Sequence, residues 1–237
     1  QAWAVDDATR RQSNILSFEV TRTIEGFTAT TIGQSVSFFH NGTDPTPSFI
    51  FCGRAGDVIS FRLVGTIETG FVLTNEAGGV LASGSTFGSF LRFDGPLLTS
   101  GNFKILAFRN NCCSSVGTYG FNLQRVSNPN FAVAIACGGR GAGLVSTIGD
   151  RRTFTFDGAA GDKITITMSR GSSGNVQPLI EVYDANGNLI ADAAATSGGT
   201  TATISNLTLS RSGRFSILAS DTATQVGSYT LSLQCQR

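Results

Sequence analysis

Residues Ala55-Gly56-Asp57-Val58-Ile59-Ser60-Phe61-Arg62-Leu63 are echoed by Ala160-Gly161-Asp162-Lys163-Ile164-Thr165-Ile166-Thr167-Met168. Each copy is an Ala-Gly-Asp turn feeding a run in which apolar and polar residues alternate. Alternation with a period of two is the mark of a strand. It puts Ile59, Phe61 and Leu63 on one face of the first copy, and Ile164, Ile166 and Met168 on one face of the second.

Working outward, the echo extends in order through the chain. Thr31-Ile32-Gly33 returns as Thr147-Ile148-Gly149, and Ser100-Gly101-Asn102-Phe103-Lys104-Ile105-Leu106-Ala107 returns as Ser212-Gly213-Arg214-Phe215-Ser216-Ile217-Leu218-Ala219. Val116-Gly117-Thr118-Tyr119 returns as Val226-Gly227-Ser228-Tyr229. The offsets of the Ala-Gly-Asp, Ser-Gly and Val-Gly segments are 105, 112 and 110 residues, drifting as loop insertions would make them. The chain is therefore read as a tandem duplication with its joint near Ser127-Asn128-Pro129-Asn130.

The first half predicts strands at 14–20, 35–39, 49–52, 58–64, 70–74, 80–82, 87–93, 103–108 and 118–123. No helical period appears in either half. The expected fold is all-β: two tandem antiparallel β-sandwich domains of jelly-roll type, at 13–126 and 127–237, preceded by an arm at 1–12.

Composition narrows the function classes. Charged residues are 14% of the 237, well below the roughly 25% of an average soluble domain. The formal net charge of +1 lacks the basic stripe a nucleic-acid binder needs. No apolar run reaches the ~20 residues of a membrane span. The chain opens Gln1-Ala2-Trp3 without an initiator Met, carries five cysteines, and holds sequons at Asn41-Gly42-Thr43 and Asn206-Leu207-Thr208. Together these lead us to expect an extracellular or cell-surface protein with Asn41 and Asn206 as glycosylation acceptors.

The order of motifs, from Ala-Gly-Asp through the Val182-Tyr183-Asp184 hairpin to Ser212-Gly213-Arg214-Phe215 and Gly227-Ser228-Tyr229, resembles the bacterial pre-peptidase C-terminal domain. The resemblance covers residues 27–125 and 131–235 and is tighter in the second half. It implies non-catalytic jelly-roll modules, often joined to secreted peptidases, some of which bind calcium or extracellular polymers.

Candidate chemistry is sparse. His40 is the single histidine and lies in an Asn-Gly/Pro loop, and no Gly-x-Ser-x-Gly elbow occurs. Only Cys112 and Cys113 are close enough in sequence to suggest a metal site, and adjacent cysteines cannot easily share one tetrahedral ion. No catalytic residue and no cofactor is expected. Asp57 and Asp162 read as turn-closing carboxylates, the alternative being a paired-carboxylate site. Asp184-Ala185-Asn186-Gly187-Asn188 offers oxygens at alternate positions, so calcium is weighed; a calcium loop of EF type would need a Gly and an acid where Leu189 and Ala195 stand. Asn186-Gly187 instead signals a hairpin.

Cys137 and Cys235 stand at the entrance and exit of the second half, and a bridge between them would tie its first and last strands. Cys52 is expected to pair with Cys112 or Cys113, leaving one thiol over. Phe18, Phe38, Phe51, Phe61, Phe87, Phe93 and Phe108 are read as core. In the arm, Trp3 and Val5 share a parity that suits an edge strand added to a neighbouring chain. The leading expectation is a non-catalytic structural or adhesive surface protein that forms a homopolymer filament through this arm. The rival is an accessory module for carbohydrate or a matrix polypeptide.

Overall fold

A computed structural model describes residues 23–24, 27–30, 32–40, 48–66, 68–86, 90–108, 116–129 and 131–236. The expected strand at 14–20, Trp3, Val5, Phe18, Asn41, Phe87, Cys112 and Cys113 lie outside the described residues. Among the described residues the chain forms nineteen strands and no helix. In the first half these are β1 (Thr23–Ile24), β2 (Phe27–Ala29), β3 (Ser35–His40), β4 (Ser48–Gly53), β5 (Val58–Gly65), β6 (Thr69–Asn75), β7 (Val80–Thr86), β8 (Phe90–Pro96), β9 (Gly101–Phe108) and β10 (Gly117–Arg125). The second half holds β11 (Val133–Ala134), β12 (Arg140–Val145), β13 (Arg151–Gly158), β14 (Lys163–Gly174), β15 (Pro178–Tyr183), β16 (Leu189–Ala194), β17 (Thr201–Thr208), β18 (Gly213–Asp221) and β19 (Gly227–Gln236).

The strands make four sheets. Sheet 1 runs β1-β2-β4-β9-β6-β7, sheet 2 runs β3-β10-β5-β8, sheet 3 runs β11-β13-β18-β15-β16, and sheet 4 runs β12-β19-β14-β17. Pairing is antiparallel except for β2 on β4 and β11 on β13, which occupy matching places in the two halves. Sheets 1 and 2 close over one apolar core, with Phe49, Phe51, Phe61, Phe71, Phe103 and Phe121 at its centre. Sheets 3 and 4 close over a second, built on Phe154, Ile166, Met168, Ile180, Ile217 and Leu231. The alternation in the two echoed strands is what fills these cores. Ile59, Phe61, Leu63, Ile164, Ile166 and Met168 are all buried.

Two expectations about the phenylalanines need separate statements. Phe51 and Phe61 are buried, and Phe38 and Phe93 pack against the first core from its margin. Phe108 does not join it. On β9 the inward set is Phe103, Ile105 and Ala107, so Phe108 falls on the outer face, its ring over Gly70. A Cβ at Gly70 would come within 2.4 Å of that ring. Of the expected strand at 87–93, residues 90–93 lie in β8, which runs on to Pro96, and 87–89 lie outside the described residues.

The paired strands of the halves correspond residue by residue, but the Thr-Ile-Gly echo does not: Ile32-Gly33 precedes β3, whereas 147–149 follows β12, the counterpart of β3. Phe61 faces Leu123 and Ile59 faces Arg125 in sheet 2; Ile166 faces Leu233 and Ile164 faces Cys235 in sheet 4. Sheet 4 is thus the counterpart of sheet 2, and sheet 3 of sheet 1.

Candidate functional site

The outer face of sheet 2 packs on the outer face of sheet 3, and the residues between them are mostly polar. On β5 the alternate set to the core residues is Ser60 and Arg62, both fully buried. Asn122 and Gln124 of β10 join them, opposed by Arg151 and Thr153 of β13, Glu181 and Tyr183 of β15, and Ser216 and Ser220 of β18.

Arg151 is the hub of this seam. Its Nε donates to Asn122 Oδ1 at 2.7 Å, its Nη1 to Ser60 Oγ at 2.7 Å, and its Nη2 to the Ser60 carbonyl at 2.6 Å. Arg92 Nη1 reaches Glu181 Oε1 at 2.6 Å, and Arg92 Nε reaches Asp94 Oδ2 at 3.0 Å. Arg62 donates through Nη1 to Ser220 Oγ at 2.8 Å and lies 4.0 Å over the Phe90 ring. Its Nε and Nη2 have no protein acceptor among the described residues, and burial lowers the guanidinium to about 10. Burial also pushes the Asp94 carboxyl above its usual range, an effect that Ser60 and Arg92 only partly offset. Tyr183 moves up for the same reason, with Glu181 and Asp94 adding to it.

The backbones meet as well. Gly120 lies so close to the 148–149 turn that a Cβ there would sit 1.7 Å from the Ile148 carbonyl oxygen. Ser35 Oγ donates to Asp150 Oδ1 at 2.6 Å beside it. A small apolar group, Val126, Tyr183 and Leu218 with Val58 and Leu189 at its edge, completes the contact. A buried seam of this kind fixes the orientation of two sandwiches.

The remaining sequence candidates separate cleanly. Asp57 Oδ2 accepts from the Arg54 amide at 3.1 Å, and Asp162 Oδ2 from the Ala159 amide at 2.9 Å. Both therefore close turns, one per half, and do not face each other across a site. Asp184 Oδ1 accepts from the Asn186 and Asn188 amides, each at 2.9 Å, and Oδ2 accepts from Asn188 Nδ2 at 3.0 Å. Burial works against this carboxylate, but the bonds from Asn188 and Asn186 hold it below its ordinary range. Its lone pairs are used within the hairpin, where Gly187 turns at φ 82°. Among the described residues no group of three or more His, Cys, Asp or Glu is placed to hold a metal ion.

Cys137 and Cys235 form a disulfide with Cα atoms 5.4 Å apart. Cys52 has no disulfide partner among the described residues, and its expected partners Cys112 and Cys113 lie outside them; Phe49, Phe51 and Gly53 point inward on β4, which turns Cys52 out. Asn206 is exposed in a bulge of β17, at φ 52°.

The outer face of sheet 4 is unlike the seam. In register across it lie Ala142, Thr230, Ser169 and Thr201, and beside them Arg140, Ser232, Thr167 and Thr203. Gln234 and Thr165 extend the array. Hydroxyls therefore repeat about 4.8 Å apart across strands and about 6.7 Å along them. Thr203 Oγ1 donates to Thr167 Oγ1 at 3.4 Å.

Residues 150–234 match the family model described as the bacterial pre-peptidase C-terminal domain. The match spans nearly all of the second sandwich from β13 through β19, and the first sandwich repeats its strand order. Among solved structures, the chain is similar to the pre-peptidase C-terminal domain of a collagenase from Bacillus anthracis, at 16% identity and a TM-score of 0.38, over 44% of this chain and 99% of that one. It is also similar to a secreted-protein candidate from Eubacterium rectale, at 10% identity and a TM-score of 0.33, over 89% and 79% of the two chains. No curated protein matches the chain.

The seam was the feature that sequence reading missed. A signal existed: Ser60 and Arg62 stand where the second copy has Thr165 and Thr167.

Proposed function

We propose that the protein is a non-catalytic structural or adhesive module of the extracellular space, acting as a subunit of a homopolymer. The observation that carries this reading is the direction of the stack. Sheet 2 of the first sandwich meets sheet 3 of the second, so equivalent units are arranged head to tail rather than about a two-fold axis. A head-to-tail contact between copies extends into an open fibre or closes as a ring. Low charge, a buried polar seam and a disulfide-tied second sandwich suit a load-bearing extracellular part.

In this reading the arm at 1–12 tethers one subunit to the next, with Trp3 and Val5 as its anchors. Electron microscopy of the native protein tests it. Filaments that vanish on deletion of 1–12, with circular dichroism unchanged, support the arm; filaments that persist without it remove the arm from the joint; monomers throughout remove the reading itself.

A second reading is favoured by the hydroxyl rows on sheet 4, whose Ser and Thr side chains can both donate and accept. They suit an accessory module that binds carbohydrate or a matrix polypeptide. Binding to an insoluble polysaccharide that is lost in Thr167→Lys, with no assembly of the protein at any concentration, would favour this reading over the first.

A further inference from the structure

We infer that the two outer faces left uncovered by the other described sheets, that of sheet 4 and that of sheet 1, are the two halves of the joint between copies. This inference rests on the homopolymer reading above and names its contact surface. In the seam, the face of sheet 2 meets the face of sheet 3. The counterparts of those faces are sheet 4 and sheet 1, and they stand at opposite ends of the same chain. Placing sheet 4 of one copy on sheet 1 of the next repeats between molecules the step already present within one.

The side chains of the two free faces differ from the seam in a matched way. Within the seam Arg92 pairs with Glu181. By strand register Arg92 corresponds to Thr203 and Glu181 to Val72. Both members of the ion pair are thus uncharged on the free faces. Had only one been lost, stacking would bury an orphan ion, which is strongly unfavourable. Arg62 and Asn122 likewise give way to Thr167 and Ser232.

The face of sheet 1 carries Ile50, Val72, Leu106 and Phe108 around Lys104. Leu106 is 38% exposed and stands where the seam has Leu218. This largely apolar face and the hydroxyl face can meet without desolvating an ion pair, provided that Lys104 and the edge residue Arg140 keep their charged ends in water.

One replacement sets the fit. Gly120 allows the backbones of the seam to touch, and its counterpart on sheet 4 is Thr230, which is exposed. The added side chain holds the faces further apart, so the joint between copies is looser than the seam and dissociates on dilution.

The test uses the full chain in analytical ultracentrifugation over a concentration series. Thr167→Lys blocks sheet 4, Leu106→Lys blocks sheet 1, and Thr203→Lys serves as a second block of sheet 4; circular dichroism checks that each folds. The wild type is expected to grow in mass with concentration, and each variant alone to sediment as a monomer. Mixing Thr167→Lys with Leu106→Lys leaves one good face on each, so the mixture should stop at a dimer containing one copy of each. Variants that assemble like the wild type would overturn the inference while leaving the homopolymer reading intact. A single variant that dimerises alone, or a mixture that stays monomeric, would overturn the head-to-tail pairing. A wild type that is monomeric at every concentration would remove both.

Discussion

Sheets 2 and 4 are the same sheet by strand order and register, yet one is buried and ionic while the other is open and hydroxylated. The row Arg92, Arg62, Asn122 and Ser35 of sheet 2 becomes Thr203, Thr167, Ser232 and Arg140 in sheet 4. The inward residues between these positions stay apolar in both. The comparison separates what the fold needs from what the outer face is for. The core set is fixed by the sandwich, whereas the alternate set is free to become a seam or an exposed surface.

The ends of the two sheets are secured differently as well. Cys235 of sheet 4 is bonded to Cys137, while its counterpart Arg125 in sheet 2 pairs with Asp57 at 3.0 Å. Removing the disulfide with Cys137→Ser and Cys235→Ser should give the largest loss in stability. With a sequence separation of 98, the chain-entropy model puts it at about 4–5 kcal/mol. Calorimetry should show that loss in the second sandwich. An unchanged melt would mean that sheet 4 holds without its staple.

A pair of equivalent substitutions sharpens the contrast. Arg62→Ala removes a buried guanidinium and strands Ser220, which should cost about 1–3 kcal/mol in denaturant unfolding. Thr167→Ala, at the equivalent place on the open face, should stay within about 0.5 kcal/mol. Equal effects would erase the distinction between the two faces.

The smallest effect is electrostatic. The Asp94 carboxyl is raised by burial in the seam, so the folded protein gains stability relative to the unfolded chain as pH falls through its raised value. Asp184, in the hairpin after β15, is lowered. Its contribution is complete above the ordinary 3.8 and is lost as pH falls through the depressed folded value. Carbon-detected NMR titration should therefore find Asp94 protonating before Asp184 as the protein is acidified. The reverse order would mean that Asp94 is hydrated and the seam is not closed around it.

Much of the fold was legible because alternation and turn chemistry are local. Ile59, Phe61 and Leu63 declared the inward face of their strand, and Asn186-Gly187 declared a hairpin whose Asp184 carboxylate is consumed by its own turn. Phe108 was misread because aromatic size suggests burial, while its parity with Leu106 places it outside. The seam was less legible because a strand with one polar face gives no sign of what covers that face. Only the difference between copies hinted at it: Arg62 in one and Thr167 in the other, at the same point of the same strand. The arm anchors Trp3 and Val5 remain a proposal from sequence alone.

The central claim is that the seam makes one unit of two sandwiches, and calorimetric unfolding of the intact chain beside Arg151→Ala tests it most directly. The substitution removes the cation that joins Ser60 and Asn122 to β13, at a cost of about 3–5 kcal/mol if the remaining polar groups stay buried. The account predicts one cooperative transition for the intact chain and two separate transitions for the variant. Two transitions in the intact chain, unchanged by Arg151→Ala, would contradict it.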